Sequence, residues 1–290
     1  VPLSLDSTFV EEAIRFAEAH PWQPAWPAGL IRRFLTQLIS SEKLVLESLD
    51  SKGERLVLGV LLDRVNNPVN HACLEIIGLR TGGDLEARLE PILELAWSRL
   101  PANRSGLQFG AHESVVFGRE WLARNGLVSY YDTFEMVNSN PALLPKSQCM
   151  GIEAVKSEDL ENLYSATREC FKDNPDTSIP EYQEWRSHRL TDRTSELWVH
   201  KENGKILGFI NLVIEPGSSG GEVRTLGVLP SARRRGLGRA MLTYALNRVV
   251  AAGLSRCVLT VAGQNEKALD LYRSLGFEVT DRCCVYSRDR

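Results

Sequence analysis

The sequence predicts an α/β (α+β) protein in which one plan of strands and helices is laid down twice. Three observations carry that prediction. Apolar residues alternate between strand-like and helix-like periods along the 290 residues. Glycines recur at a domain-sized interval: Gly59 and Gly208, like Gly78 and Gly227, stand 149 residues apart, and Gly126 and Gly276 stand 150 apart. The flanks keep the same register, with Ile77-Gly78-Leu79 against Leu226-Gly227-Val228 and W-L-A-R-N-G-L against L-Y-R-S-L-G-F. A period of that length marks a duplicated domain rather than a solenoid.

In the first half, residues 6–19 and 28–40 read as helices, Leu44–Leu49 and Arg55–Asp63 as a strand pair, and His71–Leu79 as a third strand. Leu85–Leu100 reads as a helix in which Pro91 predicts a late start or a kink. Gly106–Ala111 reads as a strand, Arg119–Asn125 as a short helix and Leu127–Val137 as a finishing strand. The second half repeats the order: a strand over Cys149–Val155, helices over 157–171 and 180–190, and a hairpin of Glu196–His200 with Lys205–Ile214 around Asn203-Gly204. A strand over Glu222–Leu229, a helix from Arg239, a strand over Cys257–Val261, a helix over Lys267–Leu275 and a last strand over Glu278–Ser287 complete it. The expected domains are residues 1–137 and 149–290, joined by a linker over 138–148 that carries Pro141 and Pro145.

Composition narrows the function classes. A hydrophobic content of 43% supports ordinary cores, and the net charge of −3 argues against a bulk nucleic-acid binder. The longest near-apolar run, Leu56–Leu62, is far short of the roughly 18 residues of a membrane span. No signal peptide opens the numbering, and Val1 in first place predicts upstream residues outside it, so the expected compartment is the cytoplasm. Cys73, Cys149, Cys170, Cys257, Cys283 and Cys284 show no metal-ligand spacing and read as reduced, mostly buried thiols. His20, His71, His112, His188 and His200 show no paired ligand spacing either, so no metal is expected.

The chemistry concentrates in Glu222–Gly238, where a strand, a loop with two glycines and a helix N-terminus follow in series. A helix N-terminus presents unpaired N–H donors and the positive end of its dipole, and glycines admit a ligand close to the backbone. The stretch therefore reads as a phosphate site. A dinucleotide fingerprint does not fit, because Met241 occupies the third small position and no acidic residue ends the next strand.

Arg233-Arg234-Arg235-Gly236-Leu237-Gly238 resembles the [Q/R]-x-x-G-x-[G/A] loop of the GNAT superfamily of acetyl-CoA-dependent acyltransferases. Asn265 in V-A-G-Q-N-E-K-A and Tyr272 in A-L-D-L-Y-R-S-L-G-F follow at that family's spacing. The resemblance covers 149–290 directly and 1–137 through the repeat, and the two-domain plan is similar to that of tandem GNAT proteins, mycothiol synthases among them. It implies a mixed, mostly antiparallel central sheet flanked by helices in each domain, with acetyl-CoA (coenzyme A) as cofactor.

It also implies a role for each residue. Backbone amides from Arg234 to Arg239, through Arg235, Gly236, Leu237 and Gly238, would hold the coenzyme A pyrophosphate, with the Arg233–Arg235 side chains adding charge; a solvated face or a nucleic-acid contact is the other reading of the arginines. Leu226, Gly227 and Val228 would flank the pantetheine, Gly227 permitting a bulge or close approach and the Val228 N–H facing a developing oxyanion; a strand glycine packed under a helix is the alternative. Asn265 would contact the cofactor, or act as a plain helix cap. Tyr272 would protonate the leaving thiolate, against a core tyrosine on the apolar face with Ala268, Leu271 and Leu275. Glu222 would take the amine proton, against a solvated strand glutamate.

The first copy departs from the pattern. Asp84-Leu85-Glu86-Ala87-Arg88-Leu89 aligns with the loop, so carboxylates replace arginines, and Val115, Leu122 and Cys73 stand for Asn265, Tyr272 and Glu222. It is expected to be a degenerate domain that walls the substrate cleft, to which Trp22 and Trp26 would contribute unless they pack locally. Asp173, Asp176, Glu181 and Glu184 would either attract a cationic amine or form a solvated face. The expected function is transfer of acetyl to a small-molecule amine by direct attack in a ternary complex, by a monomer or homodimer without nucleic-acid or membrane partners. A non-enzymatic acyl-CoA-binding module and a protein N-terminal acetyltransferase are the alternatives.

Overall fold

The computed structural model describes residues 7–20, 44–62, 70–80, 82–143, 151–174, 177, 179–192, 194–215, 217–218 and 220–290. The helix expected over 28–40, Trp22, Trp26, Cys149, Asp176 and residues 144–148 of the expected linker lie outside the described residues. The chain divides into two compact units, one of Val1–Arg64, Val69–Tyr131 and Cys283–Arg290, the other of Val65–Pro68 and Asp132–Arg282.

The first unit contains α1 (Ser7–Ala19), β1 (Leu44–Leu49), β2 (Arg55–Leu62), β3 (His71–Leu79), α2 (Leu85–Ser98), β4 (Gly106–His112) and α3 (Arg119–Arg124). Its strands run β1-β2-β3-β4, antiparallel except for the parallel β3·β4 pair. The end of β11 (Glu278–Asp289) lies antiparallel beside β4, from Cys283↔His112 to Asp289↔Gly106. Leu74, Leu89, Ile92, Phe109 and Trp121 form the core; each such side chain contributes about 1.5–3 kcal/mol on burial. The late start expected from Pro91 does not occur. Helix α2 begins at Leu85 because the Asp84 carboxylate caps it, accepting from Glu86 N at 3.0 Å and Ala87 N at 3.3 Å.

The second unit contains the end of β5 (Val128–Asn138), β6 (Ile152–Ala154), α4 (Leu160–Phe171), α5 (Tyr182–Thr191), β7 (Ser195–Glu202), β8 (Lys205–Ile214), β9 (Gly220–Val228), α6 (Leu237–Ala251), β10 (Arg256–Ala262) and α7 (Glu266–Arg273). Its strand order is β5-β10-β9-β8-β7-β6, with only β10·β9 parallel. The expected β7–β8 hairpin forms around Asn203 (φ 51°) and Gly204 (φ 75°), both in the left-handed region that a two-residue turn of matching twist requires. Two cores flank the sheet: Ile210, Val223, Leu242, Leu246 and Phe277 on the side of α6 and α7, and Leu163, Trp185 and Phe209 on the side of α4 and α5.

Among the described cysteines, Cys73 and Cys257 are buried and Cys170, Cys283 and Cys284 half-buried, all as free thiols. Among the described residues no helix is long and apolar enough to cross a membrane.

Candidate active site

Strand β9 loses one neighbour partway along. It pairs with β8 from Gly221 to Val228 but with β10 only over Gly220–Val223. Leu229 N donates to Leu207 O at 2.9 Å, making that a hydrogen-bonded pair. The alternation of antiparallel ladders then turns the backbone groups of Leu226 and Val228 away from β8, towards the side where β10 has departed. Arg233 Nε meets the Val228 carbonyl there at 3.1 Å.

The loop that follows ends in a cup. Arg234 (φ 67°) and Gly236 (φ 81°) are both left-handed, and Gly236 is the N-cap of α6. No side chain caps that helix and its first turn holds no acidic residue. The amides of Leu237, Gly238 and Arg239 therefore have no intrahelical acceptor and face outward with the positive dipole end. A Cβ on Gly236 would have no neighbour within 4 Å, so the glycine serves the backbone angle; a Cβ on Gly238 would lie 3.3 Å from Leu271 and 3.8 Å from Val228, which brings α6, α7 and the end of β9 together. The arginines divide their work. Arg235 pairs with Glu202, holding that carboxyl below its usual value, Arg239 donates to Ser274 Oγ at 2.6 Å, and Arg234 makes no ion pair among the described residues. In the first unit two amides in the first turn of α2 are already taken by Asp84, and Glu86 accepts from Gly118 N at 2.6 Å.

Tyr272 is buried, 8% exposed, with its ring 6.1 Å from that of Phe277. Burial pushes its phenol up to about 12, and among the described residues the hydroxyl has no hydrogen-bond partner. Asn265 is the N-cap of α7, its side chain accepting from Ala268 N at 3.3 Å. Gly227 stands directly across from Phe209, and a Cβ there would overlap the phenylalanine ring. The irregularity anticipated at Gly227 lies elsewhere: Asn211 faces Thr225 while Leu212 faces Val223, so Arg224 is the extra residue of a β-bulge.

The bulge organises the other face of β9. Val223 and Leu226 go to the core under α6 and α7, leaving Glu222 and Arg224 on the side of α5. Glu222, half exposed, accepts from Arg224 Nε at 3.1 Å, and Arg224 Nη1 lies 3.3 Å from Asp192 Oδ2, just past the end of α5. Arg189, in the last turn of α5, lies with Cζ 5.3 Å from the Trp185 ring centroid. Arg224, Asp192 and Arg189 escape the sequence reading; the one available signal was that Arg224 follows Glu222 by two residues on a strand. Asp173, Glu181 and Glu184 are exposed.

Residues 159–277 match the Acetyltransferase (GNAT) family. This segment is a GNAT-family acetyltransferase domain. The chain is 30% identical over 198 residues to the mycothiol acetyltransferase of Arthrobacter sp. strain FB24, covering 62% of this chain and 60% of the relative. The mycothiol acetyltransferase of Streptomyces avermitilis is 32% identical over 114 residues, 37% of each chain. Both matches span less than two thirds of the relative. In fold, the likeness takes in the whole chain. A GCN5-related N-acetyltransferase from Sphaerobacter thermophilus superposes with a TM-score of 0.68 at 19% identity, covering 97% of this chain and 90% of that one. A tandem GNAT protein from the clavulanic acid biosynthesis pathway gives 0.65 at 15% identity, covering 100% and 97%.

Proposed function

We propose that the chain is an acetyl-CoA-dependent N-acetyltransferase, working in the cytoplasm, whose second unit passes acetyl to the amine of a small molecule by direct attack in a ternary complex. The observation that carries this reading is the uncapped N-terminus of α6 beneath Gly236, adjoining the β9 edge that β10 leaves unpaired. Anion-binding amides and an unpaired strand edge suit the pyrophosphate and the amide-bearing arm of coenzyme A respectively. When bound, the thioester supplies an activated acetyl group.

The chain's own groups do the rest. The amides of Leu237 to Arg239, with Arg234, hold the pyrophosphate; Leu226 and Val228 align the arm along β9; Asn265 starts α7 and borders the cofactor. The Val228 N–H donates to the carbonyl oxygen as negative charge grows there. Tyr272, kept neutral by burial and with its hydroxyl uncommitted, gives its proton to the departing sulfur. Glu222 accepts the amine proton, directly or through water, while Arg224 orients its carboxylate. The first unit, with two amides in the first turn of α2 filled by Asp84, binds no second cofactor.

A thiol-release assay with acetyl-CoA over small amines, aminoglycosides, polyamines, the amine precursor of mycothiol and peptide N-termini tests this. Release dependent on one small amine is expected. Tight acetyl-CoA binding by calorimetry with no release from any acceptor would instead favour a binding module, and release confined to peptides would favour a protein N-terminal acetyltransferase.

A further inference from the structure

Two guanidiniums and two carboxylates meet on the α5 side of β9, but the pairing is unequal. Arg224 takes both carboxylates, Glu222 at 3.1 Å and Asp192 at 3.3 Å. Asp192 is committed further, its Oδ1 accepting from Thr194 N at 3.1 Å and Thr194 Oγ1 at 2.7 Å. Arg189, half-buried on the last turn of α5, has among the described residues no carboxylate within ion-pair distance and no hydrogen-bond acceptor; its one contact of note there is the Trp185 ring. Burial and then the Arg224 charge hold its guanidinium below the usual arginine value, with Asp192 opposing them. An arginine withdrawn from water without an anion is costly, and a cation–π contact offsets only about 0.5–2 kcal/mol of that.

Resting on the acetyl-transfer reading, we propose that the acceptor amine belongs to a molecule that also carries a carboxylate, and that Arg189 binds this carboxylate while the amine lies at Glu222. The Trp185 ring holds the guanidinium by its face, which leaves the planar fork of N–H donors for a bidentate partner. A carboxylate matches that fork. The charge balance selects a monoanion, because Glu222 and Asp192 close by would repel a phosphate dianion more strongly. The bulge at Arg224 keeps Glu222 and Asp192 occupied on one arginine, so that the second stays open for the substrate.

The test compares amino acids with their carboxamides, which keep the amine and lose the charge, in the thiol-release assay. A charged hydrogen-bond pair of the usual strength gives a preference of about 10- to 100-fold in kcat/KM for the amino acid. Arg189→Gln should erase that preference, leave the carboxamide within about threefold of the parent, and leave acetyl-CoA affinity unchanged. Arg189→Lys should recover part of the preference, since it restores charge without the fork. Equal turnover of acid and amide by the parent protein overturns the proposal, as does an Arg189→Gln variant that slows both alike. A second arm needs no turnover: calorimetry with N-acetyl amino acids and their carboxamides in the presence of coenzyme A. The parent should bind the acid more tightly and Arg189→Gln should bind both equally. If no acceptor releases thiol but this difference holds, acetyl transfer fails and the carboxylate site stands. If thiol is released without any acid preference, the carboxylate site fails and acetyl transfer stands.

Discussion

At Tyr272 the environment, more than the residue type, decides what the side chain can do. Burial raises its pKa to about 12, so the phenol stays neutral at and well above neutral pH. The sign of the pH effect follows: a donor is lost only when it ionises, so kcat should show no basic limb from Tyr272 below about pH 10. A fall in kcat with a midpoint near the ordinary tyrosine value would argue that the phenol is not the donor. Tyr272→Phe should lower kcat by about 10- to 1,000-fold with little change in acetyl-CoA affinity. Because the hydroxyl has no partner among the described residues, the same change should leave the thermal midpoint nearly unaltered, which separates a chemical role from a packing one. An unchanged kcat with chemistry rate-limiting would remove Tyr272 from the mechanism.

At the scale of elements, Gly236 and Gly227, both expected to border the cofactor, have different reasons. Gly236 stands in open space at φ 81°, so Gly236→Ala strains the cup without touching any neighbour. A left-handed alanine costs about 1–2 kcal/mol, and relief of that strain moves the amides below it. Acetyl-CoA affinity should fall about tenfold by calorimetry, with the fold kept; unchanged affinity would detach the α6 N-terminus from cofactor binding. Gly227 answers to Phe209, and Gly227→Ala should lower stability by about 1–3 kcal/mol in denaturant unfolding, relieved when Phe209→Leu is added.

The hairpin at Asn203-Gly204 and the loop at Gly236 were legible because their cause is local: each needs left-handed backbone at stated positions, and residue type reports that directly. Pro91 left a late start or a kink open, and the late start does not occur, since the start of α2 is decided seven residues earlier by the Asp84 carboxylate. The Arg224 bulge, Arg189 and the role of Gly227 were not legible, because each depends on a cross-strand or cross-helix partner that spacing along the chain does not encode.

At the scale of the whole molecule, the two copies in the sequence and the two units in space are cut differently. Each copy ends in a strand whose far end belongs to the other copy's unit: Thr133–Asn138 pair with Ala262–Cys257 of β10, and Cys283–Asp289 pair with His112–Gly106 of β4. Comparison of the repeats could align these strands with one another but held no information on which neighbour each would choose. The C-terminal strand is tied firmly into the first unit. Arg288 lies 4.1 Å from the Trp97 ring centroid and pairs with Glu94, Asp289 meets His71 at 2.8 Å, and Arg290 donates to the carbonyls of Ala102 and Leu100 at 3.0 Å each. A chain ending at Arg282 therefore exposes the β4 edge and loses seven registered pairs, though all removed residues lie more than 140 positions from the sheet they complete. In hydrogen exchange, β3 and β4 should lose protection in that truncated chain, while β8 and α6, whose partners all remain, keep theirs. Retained protection along β4 would show that the first unit's sheet stands without its borrowed strand. The same geometry predicts that cutting at the linker, as the sequence invites, yields two fragments that each lack one strand. Residues 149–290 alone would carry the α6 cup and Tyr272 yet leave β10 without Thr133–Asn138, so acetyl-CoA binding by that fragment should be weaker than by the full chain and should recover when residues 128–143 are restored ahead of it.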